Sequence, residues 1–186
     1  MMSLNKNPEL KAAVLQLPEK EKDKLLVRLI NKDSMLIKQL HYQLLESEED
    51  LVLRNEKLKE GLDDIFKTSA QHVRVSYDYN NYKELMYFLK LASGSVNEHE
   101  KVTKDKIGVL EARILIVLKT IERYGQLFSH DFDKYGYGYN LKKYFKGRIK
   151  LIVTALSKLH EDIQFDFRDQ LEEILAFSEE NNLENY

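Results

Sequence analysis

Apolar residues recur along this chain at intervals of three and four, the spacing that gathers side chains on one side of an α-helix. Leu10, Ala13, Val14 and Leu17 form the first such stripe. Ahead of it, Asn7-Pro8-Glu9 offers a capping amide, a first-turn proline and an acid at the positive helix end. Pro18 restarts the chain, and Leu25, Leu26, Leu29 and Ile30 make a second stripe. Asp33 or Ser34 can cap a new helix, which predicts a break before the third stripe of Leu36, Ile37, Leu40 and Leu44. Ser47-Glu48-Glu49-Asp50 opens the next helix, whose Leu51, Leu58, Leu62 and Ile65 follow a seam interrupted by Asn55. A lone Asn in such a seam fixes register at a cost in stability.

Strict alternation occurs in one place, Val73 to Tyr79, with no second strand for it to pair with, so it reads as a connector. Asn81 and Glu84 give a capping signal for a helix through Leu85, Phe88, Leu89 and Ala92. Gly94 stands where that helix would end, and a polar loop is expected from Ser95 to about Thr103. Ile107, Leu110, Ile114, Val117, Leu118 and Ile121, widened by Leu115 and Ile116, predict a central helix closed by Gly125. Phe128 to Tyr139 is the least helical stretch. Asn140 can cap a helix with Leu141, Phe145, Ile149, Ile152, Leu156 and Leu159 inward, and Phe165-Asp166 introduces a last one through Leu171, Ile174, Leu175 and Phe177.

The expected fold is all-α: seven to eight amphipathic helices in an irregular bundle or a short α-solenoid-like stack. They form one domain over 1–186, with an N-terminal helical subregion at 1–68 and a C-terminal one at 78–178. The helices through Ile114 and Ile152 should supply its centre.

Composition agrees with this reading. Both prolines, Pro8 and Pro18, lie at the start of the chain, and the proline-free remainder favours long helices. The absence of cysteine excludes disulfides, thiolate metal sites and a Cys nucleophile. The first twenty residues lack a signal-peptide core, and the longest apolar run, Ile114 to Leu118, is far short of the ~20 residues of a membrane span. A cytoplasmic location is therefore expected.

Charge changes the picture more. Net charge is −2, from 29 Lys+Arg and 31 Asp+Glu, yet residues 134–150 carry six bases and no acid. Residues 161–186 follow with nine acids against Arg168. Tyr135, Tyr137 and Tyr139 interleave with Lys142, Lys143, Lys146, Arg148 and Lys150, making this segment the candidate binding surface. A basic helix beside an acidic one can pair charges across a hairpin. It can equally dock a protein, or hold nucleic acid by neutralising phosphates and stacking bases.

Catalytic signals are sparse. His130, Asp131 and Asp133 could serve a small metal-dependent hydrolase if further ligands joined them. Glu98-His99-Glu100 sits in the expected loop, and His160 suits a helix C-terminus. Glu46/Glu49 and Glu60/Asp63 have the lettering of a paired magnesium motif. On one helix, however, Glu49 and Glu60 stand ~16 Å apart along the axis, too far to share a metal cluster. There is no phosphate loop, dinucleotide fingerprint or nucleophile elbow. No catalytic, cofactor or metal residue is assigned. The expected function is a non-catalytic helical interaction or structural accessory module that binds a protein partner or itself, away from the membrane. Nucleic-acid binding through 134–150 is the alternative, and metal-dependent hydrolysis the second.

Overall fold

The structure, a computed structural model, describes residues 3–129 and 136–185. Nine α-helices and no strand are found among them: α1 Pro8–Leu15, α2 Glu19–Ile30, α3 Ser34–Leu45, α4 Glu48–His72, α5 Tyr79–Thr103, α6 Lys106–Tyr124, α7 Tyr137–Leu156, α8 Glu161–Asp166 and α9 Arg168–Glu180. The chain divides into two compact units, with the boundary between Ser47 and Glu48.

In the first unit, local chemistry sets the helix starts. Asn7 Oδ1 accepts from Leu10 N at 3.2 Å, and Pro8 holds the first helical position. Asp33 Oδ1 accepts from Met35 N and Leu36 N, which places the expected break between α2 and α3. None of the described residues as far as Ser47 is buried.

The second unit holds the core. Helices α4 to α7 pack on one another, and α9 covers α6 and α7. One core cluster takes in Leu62 and Phe66 of α4, Leu85, Leu89 and Ala92 of α5, Ile114 and Val117 of α6, Phe145, Ile149 and Ile152 of α7, and Ile174 of α9. Burying each of the larger side chains here contributes roughly 1.5–3 kcal/mol. Ile114 and Ile152 lie at the centre, as their spacing implied. The rings of Phe128, Phe145 and Phe177 pack on one another, one pair tilted and two edge-on, with centroids 4.7, 5.6 and 6.0 Å apart.

Asn55 links α4 to the start of α6. Its Nδ2 donates to Asp105 Oδ2 at 2.9 Å, while the other oxygen of Asp105 caps α6 through Ile107 N and Gly108 N. Gly108 leaves room for this pair: a Cβ there would meet the Asp105 carboxylate and stand 2.7 Å from Asn55 Nδ2, so a larger residue would displace one of the two side chains.

Four local expectations are corrected. Helix α5 does not stop at Gly94 but continues through the supposed loop to Thr103, because Val96, His99, Val102 and Thr103 fall on its buried side. Its end is set by Lys104, in the left-handed conformation at φ 57. The cap of α5 is Asp78. Asn81 lies inside the first turn and instead donates to Ser76 O while accepting from Arg74 N. Helix α7 begins at Tyr137, three residues before Asn140. His160 starts a helix rather than ending one: its Nδ1 accepts from Asp162 N at 3.4 Å, opening the extra helix α8.

Candidate functional site

Helix α7 carries most of the basic and aromatic segment, and the register of its core side decides which bases are available. Gly138, Lys142, Phe145, Ile149, Ile152 and Leu156 recur at intervals of three and four and are all buried. Lys142 therefore belongs to the core stripe. Its side chain is 1% exposed, and Nζ donates to Asn181 O, at the C-terminal end of α9, across 3.2 Å. A cation at that end meets carbonyls that lack helical partners and the negative pole of the dipole.

Lys146, one turn on, donates to Glu184 O at 2.7 Å and pairs with the Glu184 carboxylate at 3.2 Å. Between them these contacts strap residues 181–184 along α7, and Leu183 is fully buried beneath. The charge pairing expected between the two segments is present at Lys146. The contacts of Lys142 and Lys146 also run to backbone carbonyls, a partner that charge counting does not reveal.

The remaining candidates diverge. The Arg148 guanidinium lies over the Tyr144 ring, 4.8 Å from its centroid, and Tyr144 Oη donates to Ser93 Oγ at 2.9 Å. Arg148 Nε is buried without a hydrogen-bond partner, beside a cavity of about 10 Å³. Tyr137 is half-buried and meets Tyr79 edge-on at 4.3 Å. Tyr139 is half-buried. Lys143 and Lys150 are exposed and two turns apart, ~10 Å along the axis. Tyr135, with His130, Asp131 and Asp133, lies outside the described residues. Structure thus brings Lys142 and Lys146 together against residues 181–184, after α9, and leaves Lys143 and Lys150 exposed.

No three His, Asp or Glu side chains gather as a metal site among the described residues, and no helix among them is long and apolar enough to cross a membrane. His99, expected in a loop, is buried in α5 with Nε2 lacking a partner. Burial lowers its pKa below the usual imidazole value, with Arg54 adding to the effect and Asp105 opposing it. A groove of about 520 Å³ lies over α6, floored by Ile107, Leu115 and Leu118, walled by Ile163 and Phe167, and rimmed by a Lys59–Glu111 ion pair.

The largest apolar exposure is elsewhere. In α2, Leu26, Val27 and Leu29 are each more than half exposed, and in α3 Leu44 and Leu45 reach 73% and 74%. Their helical spacing was legible in the sequence. That nothing in the unit covers them was not, because an amphipathic stripe looks the same whether its cover is inside or outside the chain.

Comparison with protein-family models, with curated proteins and with solved structures gives no match. The functional reading therefore rests on the chain's own surfaces.

Proposed function

We propose that this chain is a non-catalytic helical interaction module of the cytoplasm, with its second unit as scaffold and its first unit as the docking element. One observation carries the reading: no described residue up to Ser47 is buried, although α2 and α3 hold leucines and isoleucines at helical spacing. Apolar stripes of that kind form where another surface removes them from water.

The nucleic-acid alternative draws less support, since Lys142, Lys146 and Arg148 are engaged within the fold. A photo-crosslinking residue placed at Leu44 of the full chain in living cells tests the proposal, with Glu173 as the exposed control. A discrete protein adduct from position 44 and none from 173 is the expected result. No adduct from either position would overturn it.

A further inference from the structure

The search for a partner begins with what the first unit lacks. Its helices run 8, 12 and 12 residues, at or below the ~12–15 residues at which an isolated helix is marginal in water. Packing ordinarily supplies the missing stability, yet none of the described residues here is buried. A segment of this length is also near the limit, roughly 40 residues, below which domains usually need a metal, disulfides or association. With no cysteine in the chain, disulfides are excluded.

Area and charge then narrow the occupant. Leu26, Val27, Leu29, Ile37, Leu44 and Leu45 together leave on the order of 700 Å² of residue surface open, close to the roughly 800 Å² per partner of a standard interface. Helix α3 contains Lys38 and His41 and no acid. On its open side Ile37, Leu44 and Leu45 surround His41. Helix α2 carries four bases and three acids, nearly balanced. Neither helix presents a one-signed field that would select a strongly acidic or basic partner. On α2 exposed bases and acids, Asp23, Lys24 and Arg28 among them, stand beside the apolar side chains, a mixed-sign surface that a second copy can meet with opposite charges, since one patch then serves both copies.

We infer that the open apolar sides of α2 and α3 are covered by the same two helices of a second copy of this chain, so that the protein is a homodimer joined through its first unit. This rests on the interaction reading above and names the partner. The second unit of each copy keeps its own core, because its buried residues all come from 48–185.

Sedimentation equilibrium of the full chain over a wide concentration range tests the inference, with Leu26→Glu and Leu44→Glu as interface variants and Leu175→Glu, exposed on α9, as control. The expected result is twice the chain mass for wild type and Leu175→Glu. Each interface variant should show a dissociation constant weakened on the order of thirtyfold or more, the effect of losing an interface hot spot. Hydrogen exchange over residues 19–45 reports whether the helices stay folded when the dimer is lost. A dimer that survives both interface variants overturns the inference, since its contact then lies elsewhere. So does a monomeric wild type. If that monomer binds an apolar dye and Leu44→Glu abolishes the binding, the surface serves a different partner and the interaction reading stands. If it binds no dye, the surface is not open and both readings fail.

Discussion

His99 is a residue whose neighbours turn a neutral detail into a pH dependence. It sits inside α5 with Nε2 buried and without a hydrogen-bond partner, and it feels the charges of Asp105 before α6 and Arg54 of α4. Burial and the guanidinium hold its folded pKa below the ordinary value of about 6.5, against the pull of the carboxylate. The unfolded chain therefore takes up a proton at this site before the folded one does, and the equilibrium shifts toward unfolding as pH falls. Stability from this residue is fully present above pH ~6.5 and declines below it. Urea titrations of wild type and His99→Gln at neutral and mildly acidic pH should show a steeper loss in wild type. Parallel curves would mean that the ring is not held neutral by the fold.

Among the elements, α7 shows how register decides the role of a charged residue. Lys142 shares the three-and-four spacing of Gly138, Phe145, Ile149 and Ile152, so its side chain had to enter the core whatever its charge. Packing then places the amine where α9 ends, and Asn181 O accepts from it. Lys142→Ala removes the stem, the cation and the donor together and should cost about 2–4 kcal/mol in urea unfolding. Lys142→Met keeps most of the volume and should cost less, about 1–2 kcal/mol for the carbonyl left without its donor. Equal costs would show that only volume matters there. The spacing that betrays Lys142 was readable in the sequence; its composition, six bases without an acid, pointed outward instead. The same contest explains α5. Gly94 and the polar letters after it suggested a stop, but Val96, His99 and Val102 continue the buried stripe, and packing along that stripe overrides one glycine. Caps at Asn7 and Asp33 were legible because they are local. The bond from Asn55 to Asp105 spans fifty residues, and the pattern showed only that a polar residue interrupts a seam.

At the scale of the molecule, the chain is two units with unequal cores. Among the described residues, all the buried apolar ones belong to 48–185, and the helices before them hold none. Far-UV circular dichroism on heating should accordingly show the smaller part of the helicity lost before the main transition, with tyrosine signals of the core following only the second step. A single transition by both probes would show the units unfolding together. The strap formed by residues 181–184 has a consequence for the order of events when the protein is made. Helix α7 emerges from the ribosome well before the segment that completes its coat, and the bonds from Lys142 to Asn181 O and from Lys146 to Glu184 O form only once those residues arrive. The apolar bed of Leu183 also stays open for that interval. Synthesis from the N-terminus lets α4 to α6 gather early. Closure of the core waits on residues some forty positions downstream of the lysines that hold them.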